Sequence, residues 1–414
     1  MNDRLRNHSA GFCLLILLLA SAAPLLSPHP SARTLTSLAL PQTGAHQFQT
    51  VAPGVEYLQL TRGKSSPDET TGPWSINMLR VDPSRASLQV IHALDEGVGL
   101  ETTSSMTARH MAVAAVNGGY FRTTGTFRGE SVGALMLGER LISEPHNNRA
   151  AIGLITQIDT TRVVFGHLKF VGGISVGEPR ARRGQPAQSE VRQVVNGLNR
   201  PLSKDEVITF TPEFHRTTLT TADGAEVVIR KGIVVAVRDH RGSSEIPKDG
   251  FVVSAVGKGR DWLVRNIRTG SRVNFSWHLT PLNPEQQQLW RRATTILGGG
   301  PQLIRDGKVD ITNVQEIILP AFRNDRHPRT AIAKLTSGKL LLITVDGRQP
   351  GISVGMSLDM LANLLLEFGA DEAINLDGGG STTMVVRGKV VNSPSDPTGE
   401  RPVSDAILVF PTRN

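Results

Sequence analysis

β-rich apolar runs, bounded by turn residues, recur over most of the chain and predict strands. Trp74 to Val81 and Ser87 to His92 read as strands joined by the turn Asp82-Pro83-Ser84. A short helix is expected over Ser104 to His110. It leads into the apolar run Ala112 to Val116, which stops abruptly at Asn117-Gly118-Gly119-Tyr120-Phe121. Further strands are expected at Glu206 to Thr211, Glu226 to Arg230, Ile233 to Arg238, Phe251 to Val256 and Arg272 to Trp277, with Lys231-Gly232 as a hairpin turn. In the last third, Pro301 to Val309 reads as a hairpin around Asp306-Gly307. Thr330 to Leu335 pairs with Lys339 to Val345, and Ala373 to Leu376 is a short buried strand. Met384 to Val386 and Lys389 to Val391 form a hairpin, and Val403 to Phe410 closes the chain. One segment breaks the strand pattern. Leu358, Leu361, Leu364, Leu365 and Phe368 recur at helix spacing, and Gly369 stops the run. Many strands and few helices imply an α+β fold of mixed, mostly antiparallel sheets.

The first residues read differently. Arg4 and Arg6 precede an apolar run from Gly11 to Ala23, and Ala20-Ser21-Ala22 has the small-x-small form of a cleavage site. The run is shorter than the roughly 20 apolar residues a membrane span needs. Residues 1–22 are therefore expected to be a signal peptide, and 23–50, rich in Pro, Ser, Thr and Ala, a flexible linker. A secreted, periplasmic or cell-envelope location follows, with no integral membrane segment after cleavage; a retained N-terminal anchor is the alternative. Cys13, the one cysteine, falls in the removed segment, so no disulfide is expected. Residues 161–290 are expected to be a β-rich insertion, with a loop at 178–193, between two chemically marked regions at 51–160 and 291–414.

Composition narrows the function. In 414 residues there are 41 Gly and 24 Pro but only 13 Phe, 4 Trp and 2 Tyr. Broad stacking platforms for sugar chains or single-stranded nucleic acid are not expected. The net charge is +8, but the basic residues are scattered without interleaved aromatics. This argues against nucleic acid as a partner and suits the anionic polymers an exported protein meets.

Three segments carry the candidate chemistry. In Ile374-Asn375-Leu376-Asp377-Gly378-Gly379-Gly380-Ser381-Thr382-Thr383 a carboxylate ends a buried strand, and three glycines and hydroxyls follow. A plain Asp-Gly turn needs one glycine; three allow close approach of backbone N–H groups to an anion. In the second segment, Asn117-Gly118-Gly119-Tyr120-Phe121-Arg122 is followed by Gly129-Glu130. In the third, Arg329 opens a strand whose partner ends at Asp346-Gly347. A guanidinium there can hold a phosphate through two parallel bonds. No His/Cys cluster has metal-ligand spacing, so no metal or other cofactor is expected; an oxygen-lined calcium site among Asp and Asn residues is the alternative.

Together these residues, with Gly299-Gly300-Pro301, Arg329-Thr330-Ala331, Ser395-Asp396 and Val403-Ser404, resemble the phosphodiester glycosidase family. The resemblance is dense around 112–135 and from 294 to 410 and weak between them, which implies a catalytic domain formed by 51–160 and 291–414. It implies hydrolysis of a sugar-1-phosphodiester, on an envelope or exopolysaccharide glycan bearing phosphate. Such a phosphate leaves as a stabilised anion, so the site needs cations for the phosphate and a carboxylate at the anomeric carbon more than a strong acid. On this resemblance Asp377 is the first candidate carboxylate, and Glu130 and Asp346 are the others. Arg329 and Arg122 would hold phosphate with the backbone of Gly378, Gly379 and Gly380 and the hydroxyls of Ser381 and Thr382. Asn117 would bind sugar hydroxyls, and Gly118 and Asn375 are further substrate-binding candidates. Spacing does not divide the roles among the carboxylates, choose retention or inversion, or give an oligomeric state. A binding protein without turnover and a glycosyl or phosphoglycosyl transferase are the alternatives.

Overall fold

Turn chemistry and the apolar runs resolve into three sheets in the computed structural model, which describes residues 47–65, 71–157, 160–177 and 191–412. The first sheet has eight antiparallel strands. In spatial order these are Gln49–Ala52, Val55–Arg62, Trp74–Val81, Leu340–Val345, Arg329–Leu335, Ala370–Asn375, Gln302–Arg305 and Lys308–Val309. The second has five, in the order Lys389–Val390, Met384–Val386, Ala114–Asn117, Asp405–Pro411 and Ala86–His92. The third has twelve and runs from the middle of the sequence back to Leu135–Leu137 and Arg140–Ser143. Its short contact between Gly197–Leu198 and Val207–Phe210 is parallel; its other pairs are antiparallel. The α+β reading therefore stands, weighted towards β. The signal peptide expected at 1–22 lies outside the described residues. The linker expected through residue 50 ends sooner, because Gln49–Ala52 already pairs with Val55–Arg62.

The helix expected after Ser357 forms as Leu358–Glu367. The Ser357 hydroxyl accepts the Met360 N–H at 3.2 Å, and Leu358, Leu361, Leu364 and Leu365 are buried. Gly369 follows at φ +81°, a left-handed conformation that glycine adopts without a Cβ penalty. The helix Gly257–Asn266 has no such signature. Leu263 is its one buried side chain larger than glycine, so no apolar stripe announces it.

Val55, Leu79, Ile152, Leu342, Ile374 and Ile407, drawn from all three sheets, share one core cluster. Each such burial stabilises by about 1.5–3 kcal/mol. Residues 161–290 are rich in strands, but no break in the sheet isolates them. The strand Thr160–Gly177 pairs with Ala150–Gln157 from Thr160 to His167 and with Arg272–Pro281 from Leu168 to Gly177. Residues 46–414 form one compact unit.

The sheets deliver three loop starts to one place: after Asn117, after Asn375, and at Gly299-Gly300-Pro301. Backbone bonds fasten them. Asp377 N–H donates to Gly118 O at 3.1 Å, Gly300 N–H to Asn375 O at 2.7 Å, and Asn375 N–H to Pro301 O at 3.0 Å.

Candidate active site

Asp377 stands two residues beyond the end of the strand Ala370–Asn375. It is half-buried, and its Oδ1 accepts the Gly378 N–H at 2.9 Å. Burial pushes its carboxyl up to about 6. The Ser381 hydroxyl, the Gly378 N–H and the charge of Arg401 pull it down, while Asp405 pushes it up. The carboxylate is thus largely ionised at neutral pH yet titrates within the physiological range.

The glycines after it are explained by their neighbours. A Cβ on Gly378 would sit 2.6 Å from Pro328 O, and one on Gly380 would sit 2.4 Å from Arg401 Nη2. Gly379 has φ +61° and donates its N–H to Pro328 O at 2.9 Å. This changes the expected phosphate cradle. The N–H groups of Gly378 and Gly379 are already bonded within the protein, and the donors that face the loop are guanidinium groups. Arg401 gives Nε to Asp396 Oδ2 at 2.6 Å and lays its terminal nitrogens against Gly380. Arg348 approaches Gly379 from the other side, with its nitrogens 3.1 and 3.2 Å from the position of a Cβ there. Its partner is a ring nitrogen, His327 Nδ1 at 3.3 Å, and no carboxylate. Sequence reasoning missed both arginines. The buried hydroxyls of Thr382 and Thr383 and the buried Oδ1 of Asn375 make no hydrogen bond within the described residues, which leaves polar atoms for a ligand or water behind the loop.

Asn117 and Asn375 have different employment from the substrate contacts expected of them. Asn117 is fully buried. Its Nδ2 donates to Asp377 O at 2.8 Å, and its Oδ1 accepts Thr330 Oγ1 at 2.7 Å and Thr383 N–H at 3.1 Å. Asn375 Nδ2 donates to Tyr120 Oη and to the carbonyls of Leu376 and Gly300. Both amides splice the loops together. Gly118 is needed for closeness: a Cβ there would lie 2.0 Å from Asp405 Oδ1, which accepts the Gly119 N–H at 2.6 Å. Asp405, unmarked in the sequence, therefore positions the first loop against the second. Tyr120 extends the same floor, donating its hydroxyl to Gly300 O at 2.7 Å.

Two further expectations are corrected. Arg329 is 1% exposed, and its guanidinium donates to the carbonyls of Met356, Phe322 and Asp325 at 2.8–2.9 Å. Burial lowers its pKa to about 10. It fastens two loops that border the site and is not a free phosphate clamp. Asp346 is equally buried. Its oxygens accept Ser75 Oγ, Asn392 Nδ2 and Ser393 N–H, so it is a strut without a free face. Burial raises its pKa.

Glu130 and Arg122 follow the first loop, held as a pair at 2.5 Å. Glu130 is almost fully buried. Burial pushes it up to about 7 against the pull of Arg122 and Arg200. Beside it, Glu144 is likewise pushed up to about 7 by burial, although it bonds Arg200. No group of three His, Cys, Asp or Glu side chains that could hold a metal occurs among the described residues. No helix among them is long and apolar enough to cross a membrane.

Comparison with known proteins bears on the same loops. Residues 223–410 match the model of the phosphodiester glycosidase family, a span that includes the Asp377 loop, Arg348 and Arg401 but not Asn117 to Glu130. The chain is 34% identical over 127 residues to the N-acetylglucosamine-1-phosphodiester alpha-N-acetylglucosaminidase of Mus musculus, which covers 28% of this chain and 23% of that one. It is 38% identical over 110 residues to the SPbeta prophage-derived uncharacterized protein YomE of Bacillus subtilis (strain 168), covering 27% of this chain and 16% of that one. The chain thus spans less than a quarter of the length of either relative. A solved protein of Burkholderia pseudomallei K96243 shares the fold with a TM-score of 0.74 at 24% identity. The match covers 92% of this chain and 99% of that one.

Proposed function

We propose, from the match of residues 223–410 to the phosphodiester glycosidase model, that the protein hydrolyses a sugar-1-phosphodiester. The products are the free sugar and a phosphomonoester, and the substrate is a phosphate-bearing envelope or exopolysaccharide glycan met after export. The observation that carries this reading is one carboxylate with two cations. Asp377 is ionised above about pH 6, and the guanidinium groups of Arg348 and Arg401 flank the glycines that follow it.

The geometry fits the demands of the reaction. As the bond from the anomeric carbon to the phosphate oxygen breaks, positive charge grows on the sugar and negative charge on the phosphate. Asp377 stabilises the first, either at the anomeric carbon or through the attacking water. Arg348 and Arg401 stabilise the second in a site already organised by the Asn117 and Asp405 bonds. The leaving phosphate needs no proton at neutral pH, so no buried acid has to be found for it. The unsatisfied oxygens of Asn375, Thr382 and Thr383 offer acceptors and donors to substrate or ordered water.

The test is hydrolysis of a panel of sugar-1-phosphodiesters in heavy-oxygen water by the wild type and by Asp377→Asn. Label in the released sugar, with turnover lost in the variant, supports the reading. Label in the phosphate means P–O cleavage and removes Asp377 from the anomeric carbon. Tight binding without turnover puts a binding protein in its place.

A further inference from the structure

Arg149 lies over the ring of Tyr120, with Cζ 4.5 Å from the ring centroid. Its guanidinium makes no hydrogen bond within the described residues, and its Nε is buried without an acceptor. Tyr120 in turn touches the site already described, since its hydroxyl bonds both Gly300 O and Asn375 Nδ2. A half-buried guanidinium without a carboxylate carries a desolvation penalty that stacking on one ring offsets only in part.

The surroundings share this excess. His146 accepts the Arg149 N–H through its backbone carbonyl at 3.1 Å. Burial and the charges of Arg200, Arg149 and Arg122 hold its pKa below the usual imidazole value. Arg200 is committed to Glu144 and Glu206. Arg122 uses only Nε, on Glu130, and its side chain is 39% exposed. Arg149 and Arg122, both close enough to act on His146, therefore keep donors that no group among the described residues takes. They are distinct from Arg348 and Arg401, which face Gly379 and Gly380.

We infer that Arg149, with Arg122 near it, forms a second anion subsite. It takes a carboxylate or phosphate substituent on the glycan while the scissile phosphodiester sits at Arg348 and Arg401. The inference rests on the hydrolase reading for what occupies the first site, and it narrows the substrate to a glycan with a further negative charge near the cleaved bond. Guanidinium is suited to either anion because its fork matches two oxygens at once.

Three matched sugar-1-phosphodiesters test it: one neutral sugar, one carrying a further phosphate, and one a uronic acid. For the wild type at low salt, kcat/KM is expected to be at least about tenfold higher for one of the charged substrates than for the neutral one, the scale of a hydrogen bond to a charged group. In Arg149→Gln this preference falls to within about twofold, and Arg149→Lys restores part of it. The charged substrate that is preferred identifies the anion. Equal turnover of all three by the wild type overturns the subsite and leaves the hydrolase reading standing. If none is turned over, inorganic phosphate is titrated calorimetrically into the wild type, Arg149→Gln and Arg348→Gln. A binding step lost only in Arg149→Gln upholds the subsite without the hydrolase, and identical isotherms for the wild type and Arg149→Gln overturn it.

Discussion

The side-chain amide of Asn117 donates to the backbone carbonyl of Asp377 across 2.8 Å, joining the ends of two strands that belong to different sheets. The same side chain accepts from Thr330 and Thr383, so one residue ties the carboxylate's backbone to two neighbours. Replacement by alanine leaves buried donors and acceptors without partners. Asn117→Ala is expected to lose roughly 1–3 kcal/mol of stability in urea melts, and its kcat falls more than its KM rises. An unchanged melt would show that the splice is dispensable.

Gly380 and Arg401 offer a sharper test of the phosphate clamp. The added methyl of Gly380→Ala would stand 2.4 Å from Arg401 Nη2 and 2.9 Å from Asp396 Oδ2, both ends of movable side chains. The expected outcome is a displaced Arg401, about a tenfold rise in KM for a phosphodiester, and little change in melting temperature. The double variant with Arg401→Ala should lose no more activity than Arg401→Ala alone, because both changes remove one interaction. Additive losses would mean that Gly380 acts by another route.

The Asp377 carboxyl gives the reaction an acid limb. Its pKa is raised to about 6, and the reaction uses the ionised form, so kcat/KM should climb as pH rises through 6 and level off above it. Asp377→Asn should remove this limb together with about 10²–10⁴ of the rate. A profile that is flat between about pH 5 and 7 in the wild type would disqualify Asp377 as the titrating group.

Glu130 predicts a stability effect of defined sign. Its folded pKa of about 7 lies above its ordinary value of 4.5. The native state therefore holds this proton where the unfolded chain has lost it. The contribution is complete below about pH 4.5 and disappears as pH rises through about 7. Glu130→Gln does not titrate, so relative to the wild type it should gain stability between pH 5 and pH 8. The gain is on the order of 1–3 kcal/mol, less whatever the Arg122 pair recovers. Chemical melts of both proteins at the two pH values measure it. A difference that does not vary with pH would mean that Glu130 is already ionised throughout.

Some of the site was legible in the sequence because local chemistry wrote it there. A buried strand that ends in Asn-Leu-Asp and three glycines announces a carboxylate on a tight loop, and Asp377 is found on one. The helix from Leu358 was equally plain from its stripe and its stop. What sequence could not supply was the direction in which each guanidinium points. Arg329, beside the motif, turns inward to three carbonyls, while Arg401 and Arg348 reach the glycines from turns in other parts of the chain. Asp346 and Asn117 misled for the same reason. A polar side chain at a strand end serves a ligand or a neighbouring backbone equally well, and only tertiary pairing decides between them. Asp405 was hidden because its role depends on the absent side chain of Gly118, 287 positions earlier and just past the end of the neighbouring strand.

The 18-residue strand Thr160–Gly177 carries a consequence for how such proteins can diversify. It starts among the strands that lead to the candidate-site loops and finishes among those of the middle region, without interruption. A lineage that exchanged the middle region for another could not simply cut at a hinge. The graft would have to extend this strand in register, since a slip of one residue turns every side chain beyond it to the opposite face. Inheritance of the middle region is thereby tied to inheritance of the strand, and substrate range would be expected to change by altering loops on the shared sheet sooner than by trading modules.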